Sequence, residues 1–509
     1  MNINLVVKKD VLFEKQNIVV PVFEEYVSEE KVYSFLGMLT RSQKAYLKKI
    51  VEKNEFKGKS GSFLKFEYEA KDKTIKTLYL FGIGKKADFK VVGFKRVISK
   101  IIKKVTDGII SSIAFYLPWT TKSYELDAIY VKTYIGIKLA SYQFDKYKKK
   151  DENKKVIAEC DIFVNSLTDK FDEKYLTYLN DYCLKLTDSI ILSRNIVNEP
   201  PIVMYPEVFK NEVVKIFKDK KNVKVNVMDY KEIVKKGFNL LAAVGKGSDK
   251  KPYFIEIIYN CGKKDAKTLA LVGKGLTYDS GGYSLKPSDS MKGMHLDMHG
   301  AVTMLGTMDI ISNYPLDFNV RAYLVVAENM VSGDAYKVSD IVKSYLGKTV
   351  EILNTDAEGR LALADGIAYA CEQGADILIE ASTLTGAALV ALGGEIAALL
   401  SNNDVLANSI QEAGVLTEEK FWRLPLEESY KDEIKSSVAD LRNIGKTRFA
   451  GTITAGLFLA EFVKEGVKFA HLDIAGPAML DKDIDFYNAG GNGFAIETLC
   501  QLILRGKLF

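Results

Sequence analysis

The run Leu269-Ala270-Leu271-Val272-Gly273 carries no polar side chain and leads straight into Lys274-Gly275-Leu276-Thr277-Tyr278-Asp279-Ser280-Gly281-Gly282. An unbroken apolar run followed by glycines reads as a parallel strand buried on both faces. Such a strand delivers a loop at its carboxyl end, where ligands bind in open α/β sheets. Further runs repeat the pattern at Val223 to Val227, Phe254 to Tyr259, Val320 to Val326, Val350 to Leu353, Ile377 to Ala381 and Phe469 to Ile474. Helical periodicity lies between many of them, including Leu361 to Gln373 and Thr452 to Val463. Residues 198–509 are therefore expected to form an α/β domain, a mostly parallel sheet covered by helices on both faces.

At 509 residues the chain exceeds what one core usually supports. Residues 1–165 alternate strand-like runs, such as Ile18 to Phe23, Phe63 to Tyr68 and Thr77 to Phe81, with lysine-rich helical stretches. They predict a separate, smaller N-terminal α/β domain. Gly82-Ile83-Gly84 lacks the third glycine of a dinucleotide fingerprint and reads as a tight turn. Residues 166–197 read as a linking helix, with Tyr175, Leu179, Tyr182, Cys183, Leu186 and Ile190 on one stripe, stopped by Pro200-Pro201.

Net charge is +5, from 71 Lys and Arg against 66 Asp and Glu, too small an excess to imply nucleic acid or an anionic membrane. The basic run Lys146 to Lys155 has Tyr147 as its only aromatic and reads as a solvated loop. Met1 to Glu14 lack a signal-peptide core, and no run approaches the ~20 apolar residues of a membrane span. The expected compartment is the cytoplasm. Five scattered cysteines without a C-x-x-C pair read as buried thiols, and only His295, His299 and His471 could assist a cysteine nucleophile.

The chemistry concentrates in Asn354-Thr355-Asp356-Ala357-Glu358-Gly359-Arg360-Leu361. On a still nearly extended backbone, Asp356, Glu358 and Arg360 would point the same way. Like-charged carboxylates a few ångströms apart disfavour their common ionised state, and a bound cation removes that cost. Taken alone, Asp-x-Glu is more simply an acidic turn capping the next helix. Upstream, however, Lys274, Asp279, Lys286 and Asp297 fall on or just after the loop that follows the apolar run. Together these make four carboxylates, two lysines and one arginine.

These three strings, NTDAEGRL, VGKG-x-T-x-DSGG-x-SLKP and M-x-x-DM, resemble the leucyl (cytosol) aminopeptidase family of two-metal exopeptidases. The resemblance covers roughly the C-terminal two thirds of the chain and, more weakly, the rest. It implies that Asp279 and Glu358 bridge two metal ions, that Asp356 completes one shell, and that Lys274 and Asp297 complete the other. Lys286 would polarise the substrate, and Arg360 would hold a bicarbonate that shuttles protons. A lysine ligates a metal only as a neutral amine, so Lys274 needs a lowered pKa, whereas Lys286 can stay charged and stabilise an oxyanion. The metals would be Mn or Zn, with Mg or Co also compatible with such ligands. Met294, Thr383, Leu384 and Gly386 would form the pocket for a leucine-like first residue, with Ala475 in a further wall. The partners implied are peptides with a free N-terminus and five further copies, in a hexamer built from two trimers.

His295 and His299 depart from the family pattern. Four apart, they could share a helix face and catch a metal, but they read as packing or supporting residues. Asn492 stands where the family commonly has threonine. Two other functions are weighed: a family member kept for binding or assembly, DNA included, and a two-metal phosphoesterase. The seven polar positions argue against a lost site, and the lysine ligand argues against the phosphoesterase.

Overall fold

The computed structural model describes all residues except 7–11, 13, 106–111, 118–122, 150–156, 165–172, 505–507 and 509. The chain divides into two compact units, Met1–Thr187 with Asp483–Asn488, and Asp188–Lys482 with Ala489–Phe509. Most of the basic run after Lys149, and the residues expected to open the linking helix, lie outside the described residues.

The first unit is built on strands β1 (Asn2–Val6), β2 (Asn17–Val22), β3 (Phe63–Glu69), β4 (Ile75–Gly82), β5 (Ser112–Leu117) and β6 (Glu159–Val164). Their order is β1-β6-β5-β2-β4-β3, parallel except for the edge strand β3. Both faces are covered. The helix Phe94–Val105 turns Phe94, Ile98, Ile101, Ile102 and Val105 inward, the spacing of one helical face, onto a core that includes Val19, Phe81 and Phe115. On the other side Leu47 and Val51, from the helix Arg41–Lys53, join Ile18, Val20 and Leu80. The helix Glu173–Val197 buries Leu179, Cys183, Leu186 and Ile190, while Tyr175 at the head of the expected stripe is exposed.

The second unit contains β7 (Val223–Met228), β8 (Tyr253–Tyr259), β9 (Thr268–Asp279), β10 (Asn319–Asn329), β11 (Ile341–Lys343), β12 (Thr349–Glu351), β13 (Ile377–Ser382), β14 (Ile396–Ser401), β15 (Lys420–Arg423), β16 (Leu441–Arg442) and β17 (Lys468–Asp473). The main sheet runs β15-β14-β17-β13-β9-β10-β8-β7. Its four middle strands β17, β13, β9 and β10 are parallel. The flanking strands β14 and β8 join them antiparallel. Helices His299–Ile311, Asp404–Thr417 and Ile496–Leu504 lie on one side of this sheet. Asn239–Lys246, Glu358–Glu372 and Gly451–Ala460 lie on the other, in a core holding Leu241, Val272, Leu363 and Phe458.

Three details differ from the sequence reading. Strand β9 continues through Lys274 to Asp279, so both residues sit on the strand and not on a loop beyond it. The run before Asn354 belongs to a separate three-stranded sheet, β11-β12-β16, and is not a strand of the main sheet. Its strand ends at Glu351, and Glu358 and Arg360 already lie in the first turn of a helix, not on extended backbone. Among the described residues, no helix is long and apolar enough to cross a membrane. None of the five cysteines is in a disulfide among the described residues, and Cys261 alone of them is partly exposed.

Candidate active site

The carboxyl half of β9 brings in Lys274 and Asp279, both almost wholly enclosed. Asp297 arrives on the short 3-10 turn Met294–Met298, and Asp356 on the turn after β12. Glu358 opens the helix Glu358–Glu372, where its charge faces the positive end of the helix dipole. Single oxygens of Asp279, Asp356 and Glu358 lie within 4.8 Å of one another.

Two ammonium groups bind this cluster. Lys274 Nζ lies 2.8 Å from Asp297 Oδ2 and 2.9 Å from Glu358 Oε1. Lys286 Nζ lies 2.9 Å from Asp279 Oδ2 and 2.5 Å from Asp356 Oδ1. Burial works against the charge of both lysines, but the surrounding carboxylates outweigh it and hold both ammonium groups above their usual pKa. Three carboxyl groups, Asp297, Asp356 and Glu358, move the same way. Burial, with the charge of Asp279 added and that of Lys274 opposing, pushes Glu358 up to about 8. Burial raises Asp356 too, helped by Asp279. Asp297 is pushed up to about 6 by burial against the pull of Lys274.

Four carboxyl groups thus face two ammonium groups, and Glu358 Oε2 is buried with no hydrogen-bond partner among the described residues. That surplus of crowded, enclosed oxygen donors fits hard divalent cations. Among the described residues, Asp279, Asp356 and Glu358 lie close enough together to offer such an ion one oxygen each.

Neighbouring residues fix these groups in place. Asn329, opposite Asp279 in the β9–β10 register, donates from Nδ2 to Asp279 Oδ1 at 2.8 Å and to the Thr355 carbonyl at 3.0 Å. Thr355 Oγ1 donates to the Gly281 carbonyl at 2.6 Å and accepts the Ser284 N–H at 2.7 Å, which staples the two acidic loops together. Tyr336 donates its hydroxyl to the Thr355 carbonyl at 2.7 Å. Sequence reading missed these residues. Asn329 was the one within reach of a signal, since it lies three residues past the apolar run that ended at Val326.

Arg360 is buried and donates from a terminal nitrogen to the Asn443 carbonyl at 2.8 Å. Burial lowers its pKa to about 10, against the charges of Glu358 and Asp473. Of the expected pocket residues, Thr383 is tied to the acidic cluster, its hydroxyl donating to Asp297 Oδ1 at 2.7 Å. Met294 is half-buried on the same 3-10 turn as Asp297. Leu384 is partly buried, with its side chain packed against the core. Gly386 is exposed at the start of the helix Gly386–Leu392, and Ala475 begins the turn Ala475–Ala478.

The two histidines do not share a helix face, because His295 lies in the 3-10 turn and His299 opens the following helix. His299 is wholly buried, and its Nε2 accepts the Gly493 N–H at 3.1 Å. Burial lowers its pKa to about 3, with Arg194 adding to the effect. Asn492 donates its side-chain amide to the Pro477 carbonyl at 2.5 Å, beside the turn that carries Ala475.

Comparison with known proteins gives a consistent result. The family description "Cytosol aminopeptidase family, catalytic domain" matches residues 191–500, and "Cytosol aminopeptidase family, N-terminal domain" matches residues 19–151. A "Probable cytosol aminopeptidase" of Clostridium perfringens (strain 13 / Type A) is 38% identical over 510 residues, covering 99% of each chain. One from Aquifex aeolicus (strain VF5) is 36% identical over 472 residues, 92% of each. A solved tomato leucine aminopeptidase mutant superposes with TM-score 0.86 at 29% identity, covering 99% of this chain and 96% of that one. The bottromycin maturation enzyme BotP, solved in complex with Mn, superposes at 0.81 and 28% identity over 96% of this chain and 98% of its own.

Proposed function

This chain belongs to the cytosol aminopeptidase family and is an aminopeptidase, and we propose that it removes leucine-like first residues from peptides with two divalent cations. The reading rests chiefly on the convergence of Asp279, Asp356 and Glu358 within 4.8 Å, with Glu358 Oε2 left without a hydrogen-bond partner among the described residues. Asp279 and Glu358 would bridge the cations, Asp356 would complete one shell, and Lys274 and Asp297 the other. The cations are Mn or Zn, with Mg or Co compatible with the same donors. When bound they supply Lewis-acid polarisation of a carbonyl and make water acidic enough to lose a proton near neutral pH.

The chain's own residues do the rest. Lys286 keeps its proton, because the carboxylates around it favour the charged form, and its ammonium stabilises negative charge as it grows on the scissile carbonyl oxygen. Lys274 serves as a ligand only after giving up the proton that Asp297, Glu358 and Asp279 now favour, so cation binding and proton release at Lys274 are one event. Arg360 is a fixed guanidinium held by the Asn443 carbonyl, with an Nε that has no hydrogen-bond partner among the described residues. It is suited to hold bicarbonate, which would supply a proton acceptor and donor beside the reacting groups. Thr383, Leu384, Gly386, Ala475 and Met294 line the first-residue pocket. A free α-amine of the substrate could ligate one of the cations, which would restrict cleavage to the first residue. We place the protein in the cytoplasm, as a hexamer of two trimers in which the N-terminal unit serves assembly.

Purified protein loaded with Mn or Zn is expected to hydrolyse leucine p-nitroanilide and leucyl peptides, and to leave N-acetylated peptides intact. No turnover at full metal occupancy would leave the binding-protein alternative standing. Hydrolysis of a phosphomonoester in preference to the peptide would move the site to another reaction class.

A further inference from the structure

The two stretches read above as walls of the first-residue pocket are far apart in sequence, yet both are tied to one side chain that no step of the reaction uses. Asp473, wholly buried at the carboxyl end of β17, accepts the Leu384 N–H at 3.1 Å and the Thr385 N–H at 3.4 Å on Oδ1. The same oxygen accepts the Ala475 N–H at 3.3 Å. Its Oδ2 accepts the Thr385 hydroxyl at 2.6 Å. Thr385 in turn caps the helix Gly386–Leu392, accepting the Ala388 N–H at 3.0 Å, and meets Thr452 Oγ1 at 3.0 Å.

A carboxylate accepting several hydrogen bonds in an enclosed site is strongly held, and so are the groups that donate to it. One wall begins two residues after β13 and the other two residues after β17, and Asp473 is the polar group both walls share. We propose that Asp473 is a specificity-positioning residue, a buried clamp that sets the separation of the Leu384–Gly386 wall from the Ala475 wall and so the size of first residue accepted. The proposal rests on reading those two stretches as the pocket.

The test compares kcat and KM for leucine, alanine and phenylalanine p-nitroanilides on Mn-loaded wild-type protein and the variants Asp473→Ala, Asp473→Asn and Gly386→Val. Gly386 is the control for the pocket itself, because a Cβ there meets nothing within 4 Å and added bulk enters open space. Loosening the clamp should cost discrimination on the scale of a misfitted methylene, about tenfold. Asp473→Ala should therefore lower the leucine-to-alanine ratio of kcat/KM about tenfold, mainly through KM, with Mn content unchanged. Asp473→Asn keeps an oxygen for the three N–H donors and should stay within about threefold of wild type. If Asp473→Ala does not fold, Asp473→Ser, which keeps a polar group but removes the carboxylate oxygens that hold both walls, must show the same shift in ratio.

An equal loss for all three substrates, or a loss of Mn from Asp473→Ala, would overturn the proposal while Gly386→Val still changed selectivity. If Gly386→Val leaves selectivity untouched, the reading of the pocket fails and the clamp fails with it.

Discussion

Gly359 lies between Glu358 and Arg360 on the first helical turn after the acidic loop, and replacing it by alanine tests the cluster from an unusual side. A Cβ at this position would stand 2.5 Å from Lys274 Cε and 2.7 Å from its Nζ. Restoring an ordinary contact of about 3.5 Å requires the lysine end to retreat by about 1 Å. It has nowhere to go without loss, because Nζ is held at 2.8 Å by Asp297 and 2.9 Å by Glu358. Overpacking costs about 1–3 kcal/mol, while alanine in place of glycine in a helix returns up to about 1 kcal/mol. Global stability should therefore change little. Metal affinity should not, since misplacing a ligand by that distance costs at least the about 10–100-fold seen when only supporting residues are lost. Calorimetric titration of metal-free protein with Mn, beside thermal unfolding, separates the two effects. Wild-type Mn affinity in a folded Gly359→Ala protein would refute the placement of Lys274 as a ligand.

Glu358→Gln removes one proposed bridging charge without changing shape, and leucine p-nitroanilide turnover should fall by orders of magnitude with the unfolding midpoint nearly unchanged; near-normal rates would exclude a bridging role. His471 and Glu380 form a wholly buried hydrogen-bonded pair on neighbouring strands β17 and β13. His471→Leu strands the Glu380 carboxylate and should cost about 3–5 kcal/mol in urea unfolding, whereas a double leucine variant should recover most of it. Asp365 accepts the N–H groups of Leu240, Leu241 and Tyr345 at 2.8–3.1 Å, yet burial pushes its pKa from 3.8 up to about 7. The folded state then holds that proton more tightly than the unfolded chain, so stability declines as pH rises from about 4 to about 7. Asp365→Asn should flatten this slope in the unfolding free energy, and an unchanged slope would count against a protonated Asp365.

How legible all this was in the sequence depends on what each residue type can signal. The apolar run at Leu269 announced a buried parallel strand, and the strand is there, but glycines were read as the start of a loop. Gly273 and Gly275 are packing glycines instead. A Cβ on Gly273 would come within 2.7 Å of Ala301 Cα, and one on Gly275 within 3.0 Å of the Val325 carbonyl oxygen. The helix His299–Ile311 crosses there against bare backbone, and the strand continues to Asp279. A glycine in a strand can mark a turn or a close neighbour, and only the neighbour decides. The acidic string at Asn354 was recognised by its residues while its backbone was misjudged, because the two-residue spacing of Asp356 and Glu358 suits a strand face. In the structure the same convergence comes from a turn feeding a helix. Asp473 left no local signal, since apart from its bond to Ala475 it works through Leu384 and Thr385, 89 and 88 residues away.

The position of the site follows from the strand directions. Lys274 and Asp279 come from the carboxyl half of β9, Asn329 from the last residue of β10, Thr383 from just beyond β13 and Asp473 from the last residue of β17. Those four strands are the parallel set, so their carboxyl ends open on one edge of the sheet. The strands that flank them, β14 and β8, run the other way and present amino ends at that edge. Loops that bring charged groups together are thus confined to the middle of the sheet, where apolar neighbours on both faces exclude water. Exclusion of water is what makes four carboxyl groups costly to hold together, and the same low dielectric strengthens their grip on any cation that neutralises them. A variant that let water into this edge would weaken metal binding even with every ligand intact.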